Sequence, residues 1–348
     1  MRRVLCVLAM VMLTACVSSP SAGAASSPAA APRKSQAPAT SASPPASPAC
    51  EVPFLTTTGR GPYTAVGFLR LPDGVFHPDP TANSALPPGG AQSNPTPGGA
   101  QPWWDAPARR WVPVPLTSIS ADGHSYVYLS PTGLHRVSVA TGAEKLIYAE
   151  PHGVLGGQVL GYRADGVYIV FPSGVKDGSG GVLANPPEQV GVWRVDDTSG
   201  TAVRIRTSDV VGSMAAGALW ITPVSGSTLG DSLVRVDLNT AEQTVWFTDQ
   251  GRMIQFLGVD AAGSPIVWTF ANGHLEIWHI TAPNQARNIY SLDYTGAPHI
   301  FGPEMQQGLL VADQHGVWFG ASDGLYLYDS AGFRQVAMTS GIPAGPCT

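Results

Sequence analysis

Residues Ile119 to Tyr148 read ISADGHSYVYLSPTGLHRVSVATGAEKLIY, and most of the remaining chain repeats that pattern imperfectly. An Asp122-Gly123 turn precedes the apolar run Tyr126-Val127-Tyr128-Leu129. Ser130-Pro131-Thr132-Gly133 then leads into Leu134-His135-Arg136-Val137-Ser138-Val139, and Thr141-Gly142 into Leu146-Ile147-Tyr148. β-Branched and aromatic side chains favour extended backbone, while Gly, Pro, Ser and Asp accept the conformations that reverse it. Three short apolar runs between three turns predict a meander of antiparallel strands.

With this stretch as a ruler, turns of the same kind end at Gly74, Gly123, Gly166, Gly217, Gly263 and Gly316. Subtracting residue numbers spaces them 49, 43, 51, 46 and 53 apart, the period of a propeller blade. The strand after the second turn recurs as Val192-Trp193-Arg194-Val195, Leu233-Val234-Arg235-Val236, Leu275-Glu276-Ile277-Trp278 and Leu325-Tyr326-Leu327-Tyr328. In the first unit Trp103-Trp104-Asp105 falls at this place. No long window has the spacing of an amphipathic helix. The expectation is an all-β, six-bladed β-propeller of four-stranded antiparallel blades.

Ser120-Ala121-Asp122-Gly123 and Leu71-Pro72-Asp73-Gly74 resemble the Ser-Pro-Asp-Gly turn of the TolB-like class of β-propeller repeat, itself similar to WD-like repeats. The resemblance covers most of residues 62 to 340 and implies the fold. It implies no catalytic residues, because such repeats serve binding proteins and enzyme appendages alike.

With strands lettered A to D from the axis outward, the Asp-Gly turn joins A to B. B–C loops and D–A connections then emerge on one face, A–B and C–D turns on the other. The long insertions, Pro78 to Gln101, Pro172 to Gln189 and Pro223 to Asp231, all read as B–C loops and so crowd one face. Elaborated loops on a rigid scaffold are where binding residues gather. On this face the reading places His77, His152, Asp249, Arg252, Asp293, Tyr294, His299 and Glu304 as candidate binding residues. Trp103 and Trp104 close the longest insertion. Core packing is the favoured expectation for them, and an outward ring would offer a platform to a sugar.

The N-terminus carries an address. Arg2 and Arg3 precede the apolar run Val4 to Leu13, and Leu13-Thr14-Ala15-Cys16 looks like a bacterial lipobox, with Cys16 the lipidation site after removal of residues 1–15. Residues 16–49 form a lipid-anchored Ser/Ala/Pro-rich tether too poor in apolar side chains to fold. The propeller occupies residues 50–348. The expected location is the cell membrane, facing outside the cytoplasm, with the lipid bilayer as partner through the acylated N-terminus. Losing Arg2 and Arg3 from the 19 basic side chains leaves 17 against 24 acidic ones, a formal −7, which offers nucleic acid no electrostatic footprint.

Of the four cysteines, Cys6 lies in the removed segment and Cys16 takes lipid, leaving Cys50 and Cys347 at the two ends of the folded part. In an exported protein such a pair is most simply a disulfide, here one that closes a ring.

Chemical motifs are weak. Gly320-Ala321-Ser322-Asp323-Gly324 matches the nucleophile-elbow pattern, but a strand follows it and no histidine comes later, so no catalytic residue is assigned. Eight histidines lack metal-ligand spacing, and Asp177 to Gly181 and Asp196 to Gly200 lack the spaced acids of a calcium loop. No metal or cofactor is expected. The leading functional expectation is a non-catalytic binding or scaffold module for an envelope or extracellular protein or glycan. The alternatives are an extracytoplasmic polysaccharide lyase or hydrolase with a site over the central channel, and a structural subunit of an envelope complex.

Overall fold

The computed structural model describes residues 47–56, 65–85, 102–149, 156–176, 182–207, 210–225, 228–240, 242–293 and 310–348. The expected signal peptide, Cys16, most of the tether, most of the first insertion, His152, Tyr294, His299 and Glu304 lie outside the described residues. Among those described there is no α-helix, and the fold is all-β.

The chain begins with β1 (Glu51–Thr56), β2 (Ala65–Arg70) and β3 (Val75–Pro78), followed by the hairpin β4 (Trp103–Asp105) and β5 (Arg110–Val112). The opening stretch forms β6 (Ser125–Ser130), β7 (Gly133–Ser138) and β8 (Glu144–Ala149), the expected meander in the order β6-β7-β8. Its innermost strand is reduced to an isolated bridge between Ile119 and Tyr126. Pro113 and Pro115 just upstream lack the N–H a ladder needs, and Leu116–Ser118 coils into a 3₁₀ turn instead.

Four complete four-stranded units follow. The third comprises β9 (Gln158–Arg163), β10 (Gly166–Phe171), β13 (Gly191–Val195) and β14 (Ala202–Arg206), with β11 (Gly174–Lys176) and β12 (Val182–Ala184) as a hairpin inserted between its second and third strands. In the fourth, β15 (Val210–Ala215), β16 (Ala218–Ser225), β18 (Ser232–Asp237) and β19 (Gln243–Thr248) pair in order, and β17 (Thr228–Leu229) folds back on β16. The fifth is the plain meander β20 (Met253–Val259), β21 (Pro265–Ala271), β22 (His274–Ala282) and β23 (Gln285–Asp293). The sixth contains β24 (Leu310–Asp313), β25 (Gly316–Ala321), β26 (Gly324–Asp329) and β27 (Gly332–Ala337).

The final strand, β28 (Gly341–Pro343), closes the ring by pairing antiparallel with β1, Leu55 opposite Ile342. The first unit therefore runs β28-β1-β2-β3 and takes strands from both ends of the chain, and a single bridge between Ala321 of β25 and Gly341 of β28 joins it to the sixth unit in one eight-stranded sheet. The Asp73-Gly74 turn, read from its spacing as joining a first strand to a second, joins β2 to β3, and β1 lies on the other side of β2. Trp103-Trp104-Asp105, read as the third strand of this unit, pairs with β5 and is tied to the first unit by the Trp104 N–H donating to the Ala344 carbonyl at 2.7 Å. Turns of both kinds emerge on the same face, so turn spacing could not tell them apart.

Seven hydrophobic cores among the described residues link each sheet to the next around the ring. Leu129 and Leu134 meet Ile169 and Phe171, and Leu160 and Tyr168 meet Leu219 and Ile221. Trp220 and Phe247 meet Ile254 and Phe256, while Trp268 and Ile277 meet Phe319 and Tyr326. Trp318 and Leu327 meet Phe54 and Leu69, completing the circuit to the first sheet. The hairpin β4–β5 is a two-stranded wedge in the remaining gap. Trp104 and Trp111 pack on Leu55, Val66 and Ile342, whereas Trp103 and Val112 pack on Ile119, Val139 and Tyr126. Trp220, Trp268 and Trp318 are buried, and Trp193, Trp246 and Trp278 pack partly buried against these cores, as the repeated strand positions predict. Burying apolar surface on both faces of every sheet is worth roughly 25 cal/mol per Å² and is what holds successive sheets together.

The last residues are stitched to the first. Glu51 and Thr348 exchange backbone hydrogen bonds of 3.1 and 3.0 Å, and Cys50 is disulfide-bonded to Cys347 with Cα atoms 5.8 Å apart, inside the usual range.

Candidate functional site

Within each four-stranded unit the connection from second to third strand leaves at the end where the fourth strand finishes. The hairpin β11–β12 and strand β17 both occupy such connections, so these two insertions share one face, as their sequence positions predict, whereas the first insertion, read as a B–C loop, follows the outer strand β3 and lies mostly outside the described residues. On the opposite face the turns are short and internally bonded. Asp196 accepts the N–H groups of Thr198 and Ser199 at 3.0 and 2.7 Å, and Asp237 accepts those of Asn239 and Thr240 at 2.9 and 3.0 Å. The backbone donors hold both carboxyls below their usual range. The segment Asp196 to Gly200 is a turn.

The loop face of the fifth unit carries a continuous line of charge. Asp249 and Arg252 lie in the connection from β19 to β20, with the Arg252 Nε 3.7 Å from Asp249 Oδ2. The same guanidinium pairs closely with Glu276 near the start of β22 and donates to Thr269 Oγ1 at 3.3 Å. Glu276 in turn stands 3.2 Å from His274 Nε2, and His274 Nδ1 is 2.6 Å from Asp293 at the end of β23. Asp249, Arg252, Glu276, His274 and Asp293 thus alternate acid and base across the sheet. Register explains the order, since Thr269 faces Glu276 and His274 faces Asp293 across adjacent strands.

The fourth unit's insertion flanks this line. Ile254 donates to the carbonyl of Gly230 at 3.0 Å and Asp249 to that of Asp231 at 3.0 Å, which fastens the insertion to the start of β20. Thr269 is fully buried, and Glu276 keeps 17% of its side-chain surface, whereas Asp293 at 79% is open to solvent. The line runs from a half-buried anchor at Arg252 to an exposed carboxylate. Hydrogen bonding to Asp293, with a smaller contribution from Glu276, raises the His274 pKa above its ordinary 6.5.

The neighbouring turn of the sixth unit contributes Asp323, which accepts the Tyr326 hydroxyl at 2.8 Å, while Gln335 donates to its carbonyl at 2.8 Å. Ser322 belongs to this same β25–β26 hairpin turn, with a strand on each side, and the elbow geometry its motif suggested is absent.

Of the sequence-predicted residues, Asp249, Arg252 and Asp293 come together, and the structure adds His274 and Glu276. His77 is exposed on β3, an edge strand of the first sheet remote in the chain from this line. Trp104 is engaged in packing, its ring edge-on to Phe68 at 4.9 Å and to Trp111 at 5.5 Å. Trp103 is half-buried between two cores. The signal for the added pair was present, because His274 and Glu276 alternate with the buried Leu275 and Ile277 and so face away from the core.

No family model matches the chain, and no curated protein matches it. Among solved structures it is similar to TolB from Acinetobacter baumannii at 13% identity, over 85% of this chain and 67% of that one, with a TM-score of 0.41. A putative TolB from Agrobacterium tumefaciens is similar at 13% identity over 68% and 87%, TM-score 0.42. An oligogalacturonate lyase in complex with manganese is similar at 13% identity, TM-score 0.40, with 63% of each chain covered, so this chain spans less than two thirds of that protein. Likenesses this distant carry no chemistry, and the propeller assignment rests on the sheet order and the closed circuit of cores.

Proposed function

We propose that this protein is a lipid-anchored, extracytoplasmic binding module of the cell membrane that engages an envelope or extracellular protein or glycan through its loop-bearing face. The observation that carries this reading is the asymmetry of the disk: β11–β12, β17 and the line from Asp249 to Asp293 share one face, while the other keeps short self-bonded turns. Arg252, Glu276, His274 and Asp293 are each held by a hydrogen-bonded neighbour, and Asp249 lies in ion-pair reach of Arg252, which suits a rigid recognition surface better than a site that must release or accept protons during turnover. The exposed Asp293 carboxylate offers an acceptor to hydroxyl or ammonium donors. The N-terminal motif ending at Cys16 supports the anchor, and the Ser/Ala/Pro-rich segment supports a spacer reaching on the order of 100 Å at full extension.

The test is capture from the protein's own membranes, comparing the native chain with one carrying Arg252→Ala, His274→Ala and Glu276→Ala. The proposal expects a partner retained by the first and lost by the second. Turnover of cell-wall or plant polysaccharides by the purified chain would overturn the non-catalytic reading. Cys16→Ser should move the protein from the membrane to the soluble fraction.

A further inference from the structure

The ring closure contains a third potential metal ligand beside its two sulfurs. One ligand atom each from Cys50, Cys347 and His315 lies within 4.8 Å of the others. His315 belongs to the turn between β24 and β25 and is half-buried, as is Cys50, whereas Cys347 is buried. Reduced to thiolates, the two sulfurs joined by the imidazole would form a donor set suited to a soft, tetrahedral cation.

The site is held together by more than the sulfur–sulfur bond. One carboxylate, that of Asp313, organises two of the three ligands. Its Oδ1 accepts the backbone N–H of His315 at 2.8 Å, and its Oδ2 accepts the backbone N–H of Cys347 at 2.8 Å and Trp318 Nε1 at 2.8 Å. On the other side the carbonyl of Cys50 accepts the N–H of Leu71 at 2.8 Å, and Glu51 exchanges backbone hydrogen bonds with Thr348. Breaking the disulfide would therefore leave all three ligands on segments still fixed by hydrogen bonds. The two sulfurs would have to move from bonding distance to the roughly 3.8 Å that a tetrahedral cation imposes on two thiolates, but the backbone that carries them is already in place, which lowers the cost of assembling the site.

We propose that the closure is also a metal site: once the disulfide is reduced, Cys50, Cys347 and His315 bind one zinc-like divalent cation, so that sulfur–sulfur bond and metal are alternative clasps for the same ring. Reduction by a phosphine transfers two electrons to the disulfide. Water supplies oxygen to phosphorus and two protons to the sulfurs, giving two thiols and a phosphine oxide. Metal binding then displaces the two thiol protons to solvent, and fully ligated sites of this kind take up zinc as thiolates.

The experiment uses the full chain carrying Cys6→Ser and Cys16→Ser, reduced with a phosphine, desalted without air and titrated with Co²⁺ and then Zn²⁺. Expected are one equivalent of Co²⁺ with thiolate-to-metal charge transfer and tetrahedral ligand-field bands, displacement by Zn²⁺, and a melting temperature restored toward the oxidised value. The unreduced chain should show none of these. Replacing the partly exposed His315 by Ala should weaken cobalt binding by at least about tenfold and change the ligand-field bands. A reduced chain whose melting temperature Zn²⁺ does not raise, folded or not, overturns the proposal. So does a His315→Ala chain that binds cobalt with unchanged affinity and spectrum.

Discussion

Arg136 of the second sheet reaches Asp197 of the third across 3.2 Å, with the two side chains 34% and 26% exposed. The Tyr162 hydroxyl donates to the same carboxylate oxygen at 2.5 Å, so one acid ties together two strands of its own sheet and a strand of the next. Burial first, and then the Asp197 carboxylate, raises the Tyr162 pKa and keeps the phenol a donor. Asp197→Asn should cost more than Arg136→Ala, because the first weakens two contacts and the second one. We expect about 1–2 kcal/mol against under about 1 kcal/mol. Urea unfolding of both single variants and the double variant measures the coupling, and equal single losses would contradict the shared-acceptor arrangement.

Cys50→Ser and Cys347→Ser each open the ring. For a cross-link this long the chain-entropy account gives about 5–6 kcal/mol as an upper value. Either variant should lower the urea midpoint by a similar amount, and the double variant should add little to the single losses.

The sign of the His274 contribution is fixed by its partners. A histidine whose folded pKa lies above its unfolded value of 6.5 stabilises the fold fully below that value, and the contribution fades as pH rises through the folded pKa. The stability gap between the native chain and His274→Gln should therefore be wider at about pH 5.5 than at about pH 8.5. Solvent at the exposed Asp293 keeps it small. Melting curves at the two pH values decide it, and a gap widening toward alkaline pH would contradict the pairing.

Close approach of the inner strands leaves no room at Gly161 on β9. A Cβ there would stand 2.5 Å from the Met214 Cβ on β15, between the third and fourth units. Gly161→Ala should cost about 1–3 kcal/mol through overpacking, read as a lower midpoint in urea.

The units that obey local rules were legible in the sequence. The third to sixth form from strands adjacent in the chain, so turn residues and alternation sufficed, and the aligned third strands β13, β18, β22 and β26 occupy equivalent places. The disulfide was legible by elimination among four cysteines. What turns could not reveal was the first sheet, because β1 and β28 meet through pairing across nearly the whole chain and no local signal marks such a contact. The short wedge β4–β5 was misplaced for the same reason. At the charged line, Asp249, Arg252 and Asp293 were found from their connections, while His274 and Glu276 were hidden inside a strand read for its buried face.

Cys50 is also where the N-terminal segment joins the ring. Tension applied to that segment enters the disk at Cys50 and passes at once through sulfur to Cys347, so it loads both chain ends together. The first strand cannot peel away alone. The hydrogen bonds between β1 and β28 are bypassed by a covalent link, and the domain meets the pull as a closed hoop whose mechanical strength at this point is that of a covalent bond rather than of a short β-ladder.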